Sequence, residues 1–281
     1  MIKIEVVDWQ ITSSCNRCCP YCFGPKNIPD ISLHDAFKIV DLLKNAGTRQ
    51  IGITGGEPTL FPFFPELINY IFQSGIRIYL SSNCDNYDIF SSLIKSKIDI
   101  LGVPLDSGDP LVHDQLRGDG SFSTIIHALD DINESRNCPV KIKIGTVVTN
   151  KNYMELDQIE KTLIPYRDRL LYWKLYELVC YPRNIGALKL SVDFSNVSNN
   201  LGQFIGKDKV IYDTLSMRDR SYFFIDPKGD VFIPLLSSQY SKELFIGNIV
   251  SDDINSIVEK FNNIVFTDGY YSIYRYMRYK Q

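Results

Sequence analysis

The sequence alternates six strand-like segments with five helix-like segments over residues 2–180. The strand-like segments are apolar runs, or runs that alternate apolar and polar residues, at 2–12, 50–54, 76–82, 99–106, 140–148 and 171–179. The intervening segments carry apolar residues at helical spacing between cap and turn residues. Ser32, with Asp35 three residues later, is the predicted N-cap of the first helix. Ser121 or Ser123 is the predicted cap of the helix at 125–132. This alternation predicts a parallel sheet with right-handed crossovers. Because six units are fewer than the eight of a complete barrel, we expect an α/β fold, a partial (β/α)6 TIM-like barrel.

The alternation stops after residue 180. Residues 181–220 are rich in Ser, Asn and Gly and predict no clear element. Tyr222–Asp226 and Val231–Leu235 flank a Pro-Lys-Gly-Asp turn, which predicts a β-hairpin. Residues 253–261 predict a helix.

We therefore expect two domains, the partial barrel at 1–180 and a small C-terminal β-hairpin/helix extension at 181–281. The end of the extension, residues 270–280, is aromatic and basic. It is interpreted either as an ordered cap that packs on the barrel with its Arg and Lys head groups in solvent, or as a surface for a partner.

Four of the seven cysteines lie within the eight residues Cys15–Cys22, on the loop after the first strand. Cys15, Cys19 and Cys22 form a C-x3-C-x2-C triplet, and using Cys18 instead of Cys19 gives C-x2-C-x3-C. Three thiolates from one short loop can hold three corners of a [4Fe–4S] cube. All four together would instead suit zinc, although structural zinc usually takes its ligand pairs from separate knuckles. The concentration of thiols predicts a metal centre.

Composition narrows the class of protein. A formal net charge of −3 gives no electrostatic footprint for nucleic acid. The N-terminal residues lack the pattern of a signal peptide, and no apolar run approaches the roughly 18 residues of a membrane span. An odd number of clustered cysteines does not fit a secreted disulfide framework. We expect a cytoplasmic protein that binds neither nucleic acid nor membrane.

A second motif, Gly55-Gly56-Glu57-Pro58, ends the second strand 33 residues after Cys22. Taken alone, its glycines fit an ordinary turn. The C-x3-C-x2-C triplet with Tyr21 before its last cysteine, followed by this motif, resembles the radical S-adenosylmethionine (SAM) superfamily over about residues 4–180. The resemblance implies that Cys15, Cys19 and Cys22 are the cluster ligands, and it leaves Cys18 without a role.

The resemblance implies an enzyme with a [4Fe–4S] cluster and SAM as cofactors. One iron stays open for the methionine moiety of SAM, and reductive cleavage gives a 5′-deoxyadenosyl radical that abstracts a substrate hydrogen. The electron would come from an external donor such as a flavodoxin or ferredoxin. A non-catalytic iron–sulfur or zinc-binding module is the remote alternative, because it leaves the Gly-Gly-Glu-Pro motif and the βα scaffold unexplained.

The resemblance also implies SAM contacts at the C-terminal ends of the strands. Glu57 would bind the methionine ammonium, and Ser82 and Asn83 would meet the ribose and carboxylate. Asp106 would bind ribose hydroxyls or cap the next turn, and Arg117 would pair with the SAM carboxylate or lie on the surface. Cys84 stands where the family commonly has glycine. The full set of predicted SAM-binding residues is Thr54, Gly55, Gly56, Glu57, Pro58, Ser82, Asn83, Asp106 and Arg117.

Lys143 on the fifth strand and Lys174 and Tyr176 on the sixth are the substrate candidates. The lysines face the barrel lumen or point outward between helices. They match basic positions that bind a nucleotide triphosphate in viperin-like proteins, to which the chain has a distant resemblance. Gly145 and Tyr172, however, stand where that family has further polar and basic partners, and residues 118–127 lack its Asn-His pattern.

The first substrate hypothesis is therefore a nucleotide or another small anionic metabolite. The alternative is a peptide, because the segment after Tyr222 resembles a degenerate form of the extension found in peptide-modifying members. No cysteine follows Cys180, so we expect no auxiliary cluster in this extension.

Overall fold

The computed structural model of the chain describes residues 4–198, 200–237 and 240–265. Within these ranges the strands are β1 Val6–Thr12, β2 Gln50–Gly55, β3 Arg77–Ser81, β4 Ile100–Pro104, β5 Lys141–Val148, β6 Leu170–Glu177, β7 Val210–Asp213, β8 Phe224–Ile225, β9 Asp230–Leu235 and β10 Lys242–Asn248. The α-helices are α1 Leu33–Asn45, α2 Phe64–Gln73, α3 Tyr87–Lys97, α4 Pro110–Arg117, α5 Ser121–Glu134, α6 Leu156–Leu163, α7 Leu215–Arg218 and α8 Ile254–Val265. Short 3-10 helices lie at Pro58–Leu60, Ile164–Tyr166, Pro182–Leu190, Phe194–Asn196 and Lys207–Lys209.

The chain divides by its internal contacts into two compact units. So far as they are described, the first unit comprises Met1–Cys15, Gly24–Leu80 and Ser216–Gln281. The second unit comprises Asn16–Phe23 and Ser81–Leu215. The cysteine loop thus starts in the first unit and continues in the second.

The first unit contains a mixed sheet with the strand order β10-β9-β8-β1-β2-β3. β1 pairs in parallel with β2 on one side and β8 on the other, and β8 and β9 are antiparallel. This antiparallel pair confirms the predicted hairpin. One face of β1 is apolar and fully buried at Val7, Trp9 and Ile11, as expected of a strand with neighbours on both sides.

The second unit contains the parallel order β4-β5-β6-β7. β7 was not predicted, because only four residues form it inside a polar stretch. Its pairing with β6, from Trp173↔Val210 to Tyr176↔Asp213, stabilises what local propensity does not indicate. α4 was also not predicted; it begins after Asp109, whose side chain accepts a hydrogen bond from the Leu111 N–H.

Two predicted helix caps had different outcomes. Ser32 caps α1 as predicted, since its hydroxyl accepts a hydrogen bond from the Asp35 N–H. The prediction that Ser121 or Ser123 caps α5 was wrong. The cap is Gly120, which adopts φ 74°, a left-handed conformation that glycine accepts without strain.

Three further predictions concern membrane spans, the segment 270–280 and the domain boundary. No helix in the described ranges is both long enough and apolar enough to cross a bilayer. The aromatic and basic segment 270–280 lies outside the described residues, so neither of its two interpretations is tested. The domain boundary at residue 180 stays a prediction.

Candidate active site

The glycine pair at the end of β2 lies directly against the chain that leads into Cys15. The Gly56 N–H donates to the Thr12 carbonyl and the Glu57 N–H donates to the Ser14 carbonyl, each at 2.7 Å. A Cβ atom at Gly56 would lie 2.1 Å from the Ser14 carbonyl oxygen, closer than any side chain permits. Only glycine at position 56 lets the two backbone segments approach this closely, a constraint that an ordinary turn does not impose.

Glu57 follows the glycines with a nearly fully buried side chain. Its Oε1 accepts hydrogen bonds from the Thr59 hydroxyl at 2.8 Å and the Thr59 N–H at 3.2 Å. Pro58 begins the short 3-10 helix that Glu57 caps. These bonds fix the orientation of the Glu57 carboxylate, and a carboxylate is the natural acceptor for an ammonium group.

The other face of β1 carries a buried polar row that the sequence analysis missed. Asp8, Gln10 and Thr12 are each 5% exposed or less. A Cβ atom at Gly52, the register partner of Asp8, would lie 2.4 Å from Asp8 Oδ1, so glycine there leaves room for the carboxylate. The signal was a polar residue at alternate positions of a strand whose other face is apolar. We add Asp8 and Gln10 to the candidate site residues.

In the second unit, the Cys22 N–H donates to the Cys19 carbonyl at 3.0 Å, which closes a tight turn between these two predicted ligands. All seven cysteines lie in the described part of the chain, and none forms a disulfide. Cys15, Cys19 and Cys22 are partly exposed, and Cys18 is exposed.

The same residues can be tested for their fit to a cluster. Among the described residues, no three His, Cys, Asp or Glu side chains converge as on a single metal ion. A cube binds each thiolate to a different iron, so its ligands need not converge on one point. Three accessible thiols and the turn at 19–22 therefore fit an iron–sulfur cube by donor chemistry.

Tyr21, between two of these cysteines, is buried against the end of β4 and the end of α4. Its hydroxyl donates to Asp106 Oδ2, and Arg117 Nε lies 2.6 Å from the same oxygen. Asp106 Oδ1 accepts the Val147 N–H at 2.8 Å. The guanidinium of Arg117 also lies over the Tyr21 ring, 5.3 Å from its centroid.

Burial is the main reason that the pKa of Tyr21 is raised well above its usual value. Burial alone would lower the pKa of Arg117, but Asp106, Tyr21 and Cys19 together raise it more, so the net shift is upward. Asp106 thus does not cap the next turn and Arg117 is not a surface side chain. Their contacts with SAM stay predictions, and the structure gives both of them protein partners.

Ser82 and Asn83 stabilise the turn after β3. The Ser82 hydroxyl accepts the Cys84 N–H at 2.9 Å, and Asn83 Oδ1 accepts the Asp85 N–H at 2.9 Å. Asn83 Nδ2 also donates to Asn16 Oδ1 on the cysteine loop at 2.8 Å. Cys84 has φ 66°, the left-handed region that glycine prefers, which accounts for the glycine that the family commonly has here.

The three substrate candidates lie together in the second unit. Lys143 is 7% exposed, and its Nζ donates to the Tyr176 hydroxyl at 2.6 Å. Lys174 Nζ lies 5.2 Å from the centroid of the same ring and 2.6 Å from Asp213 Oδ2 on β7. Asp213 was missed because β7 itself was not predicted. The result is a nearly buried basic pair on the two sequence-predicted strands.

The profile of the Radical SAM superfamily matches residues 9–163, more than half of the chain. This chain belongs to the radical SAM superfamily. It is therefore an enzyme, and its cofactors are a [4Fe–4S] cluster and SAM. The predicted superfamily, enzyme class and cofactors are confirmed.

Relatives of known activity differ in how much of this radical SAM enzyme they match. The S-adenosylmethionine-dependent nucleotide dehydratase of Selenomonas ruminantium is 25% identical over 271 residues, covering 91% of this chain and 94% of that protein. The mycofactocin maturase MftC of Mycobacterium tuberculosis is 28% identical over 155 residues, covering 53% of this chain. That match spans 39% of the maturase, well under two thirds of its length.

Among solved structures, SuiB of Streptococcus suis bound to S-adenosylmethionine matches with a TM-score of 0.71 at 16% identity. The match covers 94% of this chain and 68% of that chain. This likeness shows the fold and confirms the predicted fold class.

Proposed function

We propose that this radical SAM enzyme abstracts a hydrogen atom from a nucleotide or another small anionic metabolite. The observation that carries the proposal is the basic pair, Lys143 and Lys174, gathered around Tyr176. Their ammonium groups lie 4.9 Å and 5.2 Å from the centroid of the Tyr176 ring, and positive charge concentrated in this way attracts an anionic ligand. The match to a nucleotide dehydratase over almost the whole of both chains supports the same substrate class.

We propose Cys15, Cys19 and Cys22 as the cluster ligands, and Thr54–Pro58 with Ser82 and Asn83 as SAM contacts. The bound cofactors supply the 5′-deoxyadenosyl radical. The chain supplies orientation and exclusion of water. Glu57, oriented by its hydrogen bonds from Thr59, accepts hydrogen bonds from the ammonium group of the methionine moiety.

The basic pair binds the phosphate or carboxylate groups of the substrate. Tyr176 orients Lys143 through its hydroxyl, and it presents a ring face to both ammonium groups. This holds the substrate at a fixed position while hydrogen abstraction takes place.

Further parts of the proposal concern partners and boundaries. We propose an external one-electron donor of the flavodoxin or ferredoxin type, and a cytoplasmic setting that keeps the seven cysteines reduced. The division at residue 180 is also proposed; the family match at 9–163 supports it because it lies wholly inside the first part.

The test is anaerobic reconstitution with iron, sulfide, dithionite and SAM, with 5′-deoxyadenosine measured against a panel of nucleoside mono-, di- and triphosphates. We expect one nucleotide to stimulate its formation. Lys143→Met and Lys174→Met should raise the KM for that nucleotide about tenfold or more. The rate of 5′-deoxyadenosine formation in the absence of nucleotide should not change.

The matched control is Lys141→Met, on the same strand two residues before Lys143 but exposed; it should change the KM less than twofold. If the two buried lysines behave like Lys141, the anionic substrate is refuted. The rival expectation, a peptide substrate, predicts that no nucleotide stimulates the reaction in the wild-type enzyme. Failure of wild type and a Cys19→Ala control to differ in 5′-deoxyadenosine would instead refute the ligand assignment.

A further inference from the structure

The Cys19–Cys22 turn is anchored to the second unit through the side chain that it carries between its two cysteines. Tyr21 is 5% exposed, and its hydroxyl donates to Asp106. Arg117 contacts both partners, with an ion pair to Asp106 and its guanidinium over the Tyr21 ring. One buried network thus joins the cysteine turn, the residues after β4 and the end of α4.

The backbone of the same turn is held independently. Asn184 Nδ2 donates to the Tyr21 carbonyl and to the Val179 carbonyl, each at 3.1 Å. Arg183 Nε donates to the Phe23 carbonyl at 2.7 Å. The turn is thus held through its main chain by Asn184 and Arg183, and through the Tyr21 side chain by Asp106 and Arg117.

The carboxylate of Asp106 is already engaged on both oxygens. Oδ2 accepts from Tyr21 and Arg117, and Oδ1 accepts from the Val147 N–H. The side chain is fully buried. A ribose hydroxyl would have to compete with these three donors in a site closed to water. Two of the donors, the Tyr21 hydroxyl and the Arg117 guanidinium, cost free energy when they are buried without a partner.

We propose that Asp106 and Arg117 are positioning residues that act through Tyr21 to hold the Cys19–Cys22 turn in its cluster-binding geometry. They do so without contacting SAM. Partners that orient ligand residues in this way commonly change metal affinity by 10- to 100-fold when they are removed. The inference rests on the proposed assignment of Cys19 and Cys22 as ligands and is independent of the substrate.

The experiment compares Tyr21→Phe, Asp106→Asn and the double variant after anaerobic reconstitution. The first readout is the rate at which the cluster loses iron to a chelator without SAM; the second is the SAM concentration dependence of 5′-deoxyadenosine formation. We expect each single variant to speed iron loss about tenfold. The double variant should be no faster than the faster single variant, because both break the same Tyr21–Asp106 hydrogen bond.

Tyr87→Phe is the matched control. Its hydroxyl donates to Asp131 at 2.7 Å, so the variant removes the same kind of Tyr–Asp bond in the same unit, between α3 and α5. Iron loss should stay within twofold of wild type. Arg117→Lys keeps the charge but not the planar contact with Tyr21, and it should fall between wild type and Asp106→Asn. Thermal unfolding of every variant separates loss of the fold from loss of the turn geometry.

Three outcomes would overturn the inference. One is a raised KM for SAM in Asp106→Asn with normal iron loss, since this means direct contact with SAM. Another is additivity of the two single variants. The third is iron loss in all variants, Tyr87→Phe included, that follows the fall in Tm. A wild-type chain that takes up no iron–sulfur cluster would instead refute the ligand assignment and, with it, this inference.

Discussion

Lys174 Nζ lies 2.6 Å from Asp213 Oδ2, so a carboxylate on β7 neutralises one lysine of the basic pair around Tyr176. Both side chains are nearly buried, at 11% and 5% exposure. Removing one partner of such a pair leaves the other as an uncompensated charge in a poorly solvated site. Asp213 therefore competes with a substrate anion for Lys174.

Asp213→Asn should lower the free energy of unfolding by about 3 kcal/mol and remove the carboxylate that competes with an anion for Lys174. A nucleoside triphosphate should then raise the Tm of the variant more than it raises the Tm of the wild-type enzyme. The measurement is thermal unfolding with and without the nucleotide. Asp157→Asn, which removes an exposed pair with Lys161, is the control and should cost less than about 1 kcal/mol. Equal Tm shifts in wild type and Asp213→Asn would contradict this account.

The neighbouring cysteines 18 and 19 form a natural matched pair. Cys19→Ser should reduce bound iron well below the roughly four atoms of a complete cube and abolish 5′-deoxyadenosine formation. Cys18→Ser should leave iron content and activity close to wild type, because the family pattern does not use it. Iron analysis and the absorbance of the reconstituted proteins check both. Loss of the cluster in Cys18→Ser with its retention in Cys19→Ser would select the other triplet.

Gly56→Ala should destabilise the enzyme by about 2–3 kcal/mol, since the new Cβ overlaps the Ser14 carbonyl. It should also weaken SAM binding, because the motif would separate from the chain before Cys15. Gly186→Ala meets no atom within 4 Å and should be neutral in both assays. Chemical denaturation and equilibrium dialysis with SAM provide the two readouts. A Gly56→Ala enzyme with normal stability would show that the contact is dispensable.

His113 gives the enzyme a defined pH response. Burial lowers its pKa to about 4 from the usual value near 6.5, and its Nδ1 accepts the Asp106 N–H at 3.1 Å. Between pH 4 and pH 6.5, His113 binds more protons in the unfolded state than in the folded state. Its contribution to the free energy of unfolding is therefore complete above about pH 6.5 and falls as the pH drops toward about 4. From pH 7 to pH 5 the loss is about 2 kcal/mol.

His113→Asn retains an acceptor for the Asp106 N–H and removes the titrating group. Denaturant unfolding at pH 7 and pH 5 should therefore show a smaller pH dependence in the variant than in the wild-type enzyme. His127, whose pKa is raised by its hydrogen bond to Asp88, titrates in both proteins and cancels from the comparison. An unchanged pH dependence would mean that His113 is protonated at little cost in the folded state.

Local motifs carried most of what could be predicted from the sequence. Cys15–Cys22 and Gly55–Pro58 are contiguous, and Ser32 with Asp35 lies within one helical turn, so each is readable without knowing the fold. The contact between Lys143 and Tyr176 could be predicted in part from the sequence, because both residues lie on strands that strong apolar patterns indicate.

What could not be predicted depends on partners far apart in sequence. β7 forms because β6 pairs with it, so Asp213 had no recognisable context. Asp106 and Arg117 were assigned to SAM because their chain positions resemble the family. The partner that the structure gives to both, Tyr21, is 85 residues from Asp106, and only packing brings them together. The polar row on β1 was hidden by its apolar neighbours, which alone define the strand pattern.

β1 has a hydrogen-bonded neighbour on each side, and one of them, β8, comes from the far end of the chain. A polypeptide that stopped at residue 180 would keep both motifs, yet it would lose β8 and leave the backbone groups of β1 along that side open to pairing with other chains. Such a truncated protein should self-associate instead of providing a minimal catalyst, because β8 pairs with that edge of β1.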